Sequence, residues 1–273
     1  MVIYTFKLNS NKKVNMSVKV KPKSVNLNLF GFNADAKTSK GNKQKQYYTS
    51  ILYLAPDVEA YTARTQDNDL FFKTVCPWSS AGCRGGCLYD EGLGAVYPKI
   101  QQARIRKTRL YHEDKTEFFR LFHQDLNKFT AFCGIHKVKP AVRDDGTSDL
   151  GMSIVASKEH PKIQFYNYTK SVKRYYNFLN GRYRDNVHFT FSRSEENEGN
   201  AFEILDDGGQ VAFVFRKKIP SKYKGYTVIN GDLTDLRFTD REVFNIPADR
   251  GFIVGLTAKG KAKKDTTGFV IDL

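Results

Sequence analysis

The sequence predicts an α/β protein in which a mainly parallel sheet, from residue 50 onward, curls into an open or partial (β/α) barrel behind a β extension over residues 1–46. Two observations predict this. From residue 139 short apolar runs alternate with helix-length segments, and parallel strands require such crossover connections. Before residue 47 the chain instead alternates apolar and polar residues, as a half-buried strand does.

In chain order, "VNMSVKVKPKSVNLNLFGF" (14–32) carries that alternation, and "NADAKTSKGNKQKQ" (33–46) reads as a basic loop. "YYTSILYLAPD" (47–57) is a compact apolar strand stopped by Pro56, and it opens the main domain, 47–273. Residues 98–111 begin on a proline suited to a first helical turn and continue through good helix formers. Asp114 is placed to cap the next helix, in which Phe118, Phe122, Leu126 and Phe129 share a face. Further strands are expected at 139–144, 162–168, 187–192, 210–215, 226–230 and 251–256, with helices at 171–180 and 199–207.

Composition narrows the function classes. With 273 residues, 40% hydrophobic and 14% aromatic, the chain can bury a sizeable core and is not a disordered protein. No stretch approaches the roughly 18 apolar residues of a membrane span, so no membrane partner is expected. The opening "MVIYTFKLNS" lacks the layout of a secretory signal, and a cytoplasmic location follows as the expectation. An excess of 44 basic over 29 acidic residues favours a polyanionic partner, nucleic acid or nucleotide, although solubility alone accounts for such a balance too. Ten lysines and one acidic residue, Asp35, fall within residues 1–49.

Three of the four cysteines, Cys76, Cys83 and Cys87, lie in "CPWSSAGCRGGCLYDEGLGA" (76–95) at the spacing C-x6-C-x3-C. In a reducing compartment clustered cysteines read as metal ligands before disulfides. The spacing does not match paired zinc ligands, for which Cys133, His112 or His136 would have to complete the set. Three thiolates and an open position suit a [4Fe-4S] cluster, and the plain alternative is three thiols with no metal. Cys133 sits at a helix end, where it reads as a small core hydrophobe. Gly82, Gly85, Gly86, Gly92 and Gly94 would let the backbone wrap closely and take positive φ, and Arg84 would offset cluster charge.

Polar residues gather just after the apolar runs: "RDDGTSD" (143–149), "TKS" (169–171), "SRSEEN" (192–197), "GDLTD" (231–235) and "AKGKAKKD" (258–265). In parallel folds the carboxyl ends of the strands carry the site, so these tails are expected on one rim. Thr147, Ser148, Asp149 and Ser192 are candidates to face a pocket there, with Arg193, Glu195 and Asp232.

The segments "ILYLAPD", "CPWSSAGCRGGCLYDEGLG", "QQARIRKTRLYHED", "DGTSD", "QFYNYTK", "HFTFSRSEEN", "VAFVFRKKIP", "VINGDLTDLRF" and "GFIVGLTAKGKAKKDTTGFV" resemble, in order, the phage and plasmid gene product eighty-eight family. That resemblance implies a phage origin and hence the host cytoplasm. A remoter similarity is to radical SAM enzymes, which hold three cluster cysteines in the loop after the first strand of a partial (β/α)6 barrel. It implies a [4Fe-4S] cluster on Cys76, Cys83 and Cys87 and S-adenosylmethionine beside it. Thr147, Ser148 and Asp149 would then lie near the methionyl amine, and Ser192, Arg193 and Glu195 near the ribose or carboxylate. The spacing differs from the common C-x3-C-x2-C, and Gly86 stands where a hydrophobic ring residue usually precedes the last cysteine.

Three function classes follow. The first is a radical-SAM-like enzyme acting on a nucleotide, nucleic acid or peptide. The second is a non-catalytic iron–sulfur protein engaging nucleic acid or a host protein, with Tyr47, Tyr48, Tyr166, Tyr168, Tyr175 and Tyr176 available to stack bases or to pack the core. The third is a metal-dependent hydrolase using Asp144, Asp145, Asp149, Asp232 and Asp235, residues that also suit helix and turn caps.

Overall fold

The computed structural model describes residues 24–32, 46–56, 74–90 and 97–273. Expectations for residues 1–23 and 33–45, including most of the lysine-rich extension, and for Gly92 and Gly94 fall outside them.

The strands are β1 (Phe30–Phe32), β2 (Tyr47–Leu52), β3 (Lys139–Arg143), β4 (Gln164–Thr169), β5 (Val187–Ser192), β6 (Gln210–Phe215), β7 (Lys222–Tyr223), β8 (Tyr226–Asn230), β9 (Phe252–Thr257) and β10 (Val270–Ile271). The helices are α1 (Ala81–Gly85), α2 (Pro98–Glu113), α3 (Lys115–His136), α4 (Ser153–Glu159), α5 (Val172–Leu179), α6 (Glu198–Asp206) and α7 (Asp240–Val243). All ten strands belong to one sheet in the order β1-β2-β3-β4-β5-β6-β9-β8-β7, with β10 on β6. The β1–β2 and β7–β8 pairs are antiparallel and the others parallel. The sheet does not close. It is an α/β fold with a mostly parallel sheet.

Local chemistry sets the helix boundaries. Pro98 opens α2, where its missing N–H costs nothing, and the Asp114 carboxylate accepts the Glu117 N–H at 2.9 Å to start α3. Phe118, Phe122, Leu126 and Phe129 are all buried, and Cys133 lies in the same cluster with Leu52, Val142 and Phe165. α5 and α6 cover a second cluster through Tyr175, Ile204 and Leu205, against Phe189 and Phe191 of β5 and Phe213 of β6. The strand period of two therefore sends odd-numbered residues of β5 and β6 to the helices.

Strand order explains the other face. From β2 to β6 the chain advances steadily across the sheet, so right-handed crossovers put α3 to α6 on one side. β9 then steps back, inserting between β6 and β8, and the same handedness sends its connection (231–251) across the opposite face. There Phe244 and Ile246 pack on Phe252 and Val254, and Phe238 meets the rings of Tyr47 and Tyr166. Arg237 is wholly buried and lies 3.2 Å from Asp240, whose carboxylate accepts from the Gln210 amide at 3.0 Å. Gln210 in turn holds His188 at 3.2 Å.

That network makes a pH prediction. Burial, with Arg237 and Arg241 nearby, pushes the His188 imidazole down to about 4 from the ordinary 6.5. A histidine depressed on folding binds its proton more readily in the unfolded chain, so its stabilisation is present above pH 6.5 and lost as pH falls toward 4. We expect denaturant unfolding to show a loss of about 2 kcal/mol across that window that His188→Gln removes. An unchanged pH slope in the variant would reject the assignment.

Candidate functional site

One cavity of about 450 Å³ opens at the carboxyl ends of the parallel strands. Its wall takes Ile51 from β2, Arg143 from β3, Tyr168 from β4, Ser192 from β5, Val214 from β6 and Leu256 from β9. Each of the five polar tails also contributes a residue, among them Thr147, Lys170, Ser192, Asp232 and Lys259.

Cys76, Cys83 and Cys87 all line this cavity. The Cys76 thiol lies 3.5 Å from the Thr147 carbonyl, and the Cys87 sulfur accepts the Tyr89 N–H at 3.4 Å. Burial pushes the Cys76 thiol far up, with Cys87, Cys83 and the carboxylates of Asp149 and Asp145 adding to it. The fourth thiol belongs elsewhere. Cys133 is fully buried in the α3 core, its thiol pushed up to about 12 by burial, and neither it nor His112 or His136 lines the cavity.

The cysteine loop is docked by a carboxylate. Glu195 accepts from the Ser80 hydroxyl at 2.8 Å and from the Gly82 N–H at 2.6 Å. Ser80 also caps α1 by accepting the Cys83 N–H at 3.2 Å. A Cβ on Gly82 would sit 2.2 Å from Thr267 Oγ1 and 2.5 Å from Phe269 Cβ, and one on Gly86 would sit 2.9 Å from Ala262 Cβ. The expectation of positive φ at these glycines is corrected: Gly82, Gly85 and Gly86 are not among the positive-φ positions, and Gly86 has φ −101°. Close approach to the 258–271 segment is the reason at Gly82 and Gly86. Arg84 is exposed and turns back to the Ser79 carbonyl at 2.6 Å, outside the cavity lining.

The structure brings Thr147, Ser148, Asp149, Ser192 and Asp232 to the cavity together with the three cysteines. Arg193 and Glu195 are not in the lining. Arg193 bonds the carbonyls of Gly268 and Phe269, the latter at 3.0 Å, and pairs with Glu198 at 2.7 Å. Its job is to hold β10 beside β6, and that of Glu195 is to hold the cysteine loop. Asp149, although on the wall, is engaged by the Arg174 guanidinium and the Lys170 N–H. Lys170, in the "TKS" tail expected on this rim though not among the individual candidates, lines the cavity and donates to Ser192 Oγ at 2.8 Å.

Two of the five aspartates expected for hydrolysis, Asp144 and Asp145, hold backbone N–H groups leading into α4. Asp144 accepts the Ser153 N–H at 2.7 Å at the start of α4, and burial with Asp145 beside it raises its carboxyl. Asp145 accepts the N–H groups of Leu150 and Gly151 at 3.0 and 2.7 Å. Among the described residues no three His, Cys, Asp or Glu side chains converge on a position for one metal ion. Tyr166 and Tyr175 are buried in the core, where neither meets a base. No helix among the described residues is long and apolar enough to cross a membrane.

A sequence model of one family, gene product 88, matches residues 28–273. No curated protein and no solved structure matches the chain.

The docking geometry predicts a contrast between neighbouring glycines. Gly82→Ala should destabilise the fold by about 2 kcal/mol through forced overpacking. Gly85→Ala, where nothing lies within 4 Å of the added carbon, should be neutral or stabilising by about 0.5–1 kcal/mol. Melting curves, with the rate at which Cys83 reacts with a thiol reagent, check it. Equal behaviour of the two variants would mean that the loop is not held against 258–271.

Proposed function

The chain belongs to the gene product 88 family, and on that premise we propose that its open sheet is a partial (β/α) barrel seating a [4Fe-4S] cluster on Cys76, Cys83 and Cys87, with S-adenosylmethionine beside it, in a radical-SAM-like enzyme. The observation that carries this reading is that three of the chain's four cysteines line one cavity at the carboxyl ends of its parallel strands. The donor set fits. Thiolates are the normal ligands of such clusters, and each binds its own iron, so three of them need not converge on one point. Gly86 and Ala262 lie against each other beside these thiols, leaving the lining there with little side-chain bulk. A reducing cytoplasm, the host's if the gene is a phage's, would keep the thiols available.

A cluster of this kind supplies electron transfer to S-adenosylmethionine, and the protein's part is binding, orientation and exclusion of water. The Cys87 sulfur, holding the Tyr89 N–H, keeps a donor that a thiolate would retain. Glu195 fixes the loop through Ser80 and Gly82 and so sets where Cys83 stands. Asp149, Arg193 and Glu195, expected from the sequence to grip the amine and carboxylate, all have protein partners instead. In this reading Lys170 and Lys259 are the lysines on the lining positioned to meet a carboxylate.

Protein purified without oxygen should carry about four irons per chain, with cluster absorption and an EPR signal after reduction. Cys76→Ala, Cys83→Ala and Cys87→Ala should each lose the iron. Cys133→Ala should keep it and lose about 1 kcal/mol of stability from the core. Calorimetry should then detect S-adenosylmethionine binding to the loaded protein. Colourless protein with stoichiometric zinc would reject the cluster, and an intact cluster that ignores S-adenosylmethionine would leave a non-catalytic iron–sulfur protein.

A further inference from the structure

The sheet side of the cavity holds a charged group that the cysteine chemistry does not use. Arg143 ends β3, lines the cavity and is 15% exposed in its side chain. Its Nε lies out of reach of solvent and meets no acceptor among the described residues. Its nearest carboxylate, Asp235 Oδ2, is 3.6 Å from Nη1, which is ion-pair distance and too long for a hydrogen bond. The guanidinium instead lies over the Tyr168 ring, 4.7 Å from its centre. The Arg193 Nε is likewise buried without an acceptor among the described residues, so the contrast with the other arginines around the rim lies in the Nη groups. Arg174 and Arg193 each donate to a carboxylate and to backbone carbonyls.

A guanidinium offers planar, paired donors matched to a carboxylate or a phosphate. The Arg143 Nη groups make no hydrogen bond among the described residues and, unlike Nε, are open to the cavity, so a ligand meets them and the Nε–H reports the contact through the shared guanidinium plane. We propose that Arg143, resting on Tyr168, is the subsite for a carboxylate of a small ligand with an apolar body. Charge favours carboxylate over phosphate. Asp145, Asp149, Asp232 and Asp235 share the same lining, and a dianion would meet all four. The body is set by the neighbours, because Ile51, Tyr53, Val214 and Leu256 present apolar surface to the same space. A volume of about 450 Å³ suits a small molecule of that kind. This subsite belongs to the strand wall and goes beyond the cluster reading, since it holds with or without iron on the cysteine loop.

The test uses benzoate, benzamide and phenyl phosphate on the full chain, followed by NMR of the arginine Nε–H resonances. The Arg143 signal is assigned by its loss in Arg143→Lys. Benzoate should shift that signal saturably, and benzamide, the same shape without charge, should bind at least about tenfold more weakly. Arg143→Met should weaken benzoate by a similar factor while iron content stays as in the parent protein. If Arg143→Met does not fold, the comparison of benzoate with benzamide on the parent chain decides alone. Equal binding of benzamide, or no shift of the Arg143 signal, overturns the subsite. Tighter binding of phenyl phosphate overturns the carboxylate assignment. Iron content is measured separately, so loss of the cluster reading and loss of this subsite give different results.

Discussion

The handedness of a β-crossover-β connection is the constraint on which the rest of this molecule depends. Four successive crossovers from β2 to β6 run in one direction, so their helices must all stand on one side. Had the chain continued that way, the opposite face would have been left bare. Instead β9 inserts between β6 and β8, and the reversal carries residues 231–251 onto the uncovered side. Phe244 and Ile246 seal the apolar part of that face, and Arg237 with Asp240 forms a buried pair there. Asp232 and Asp235, on the same segment, reach the cavity. A single change in strand order thus supplies both the sealing of that face and part of the cavity wall.

The second requirement is to fix a cysteine loop that lies outside the sheet. Two side chains from one strand end, Arg193 and Glu195, do this. Arg193 draws Gly268 and Phe269 alongside β6, where β5 has already parted from it after pairing at Val211 and Ala212. Two residues on, Glu195 reaches Ser80 and Gly82. The loop therefore rests on a C-terminal segment that is itself held by the strand end bearing Glu195. Phe269 and Ala262, brought in by that segment, pack with Cys83. Losing Arg193 would release β10 first and the loop with it, because the glycine contacts are to Thr267, Phe269 and Ala262.

This division explains what could be read from the sequence. The strands at 187–192, 210–215 and 226–230 and the caps at Pro98 and Asp114 follow from local pattern, and local pattern was enough. Parallel polarity then required the polar tails to meet, without knowledge of any contact. The destinations of the charges were not legible. Arg193, Glu195 and Asp149 stand in the right tails, yet their partners, Phe269, Gly82 and Arg174, are 76, 113 and 25 residues away. The short α4 was hidden for a similar reason. Its start depends on Asp144 accepting from Ser153, nine residues along, and its apolar face is too brief to show a period. The β9 insertion was equally invisible, since a strand's neighbours are not encoded in its own residues.

The cavity's two walls differ in how firmly they are built. On the strand side Arg143 and Tyr168 are set by paired backbone, and Asp235, on the connection across the sealed face, meets Tyr166 at 3.3 Å. On the loop side three thiols depend on a five-residue helix and a few side-chain contacts to 195 and 258–271. Positions on strands are held more closely than positions on loops. A ligand's orientation is therefore best governed by the strand wall, and the loop wall is where occupancy has most to add in rigidity. A group bound across Cys76, Cys83 and Cys87 would tie together a loop spanning residues 76–87 whose contacts among the described residues include the Glu195 carboxylate, the close approaches at Gly82 and Gly86 and the packing of Cys83. The stabilisation from such a crosslink comes from restricting chain that is otherwise free to move, and it would be greatest in the segment with the fewest packed contacts of its own.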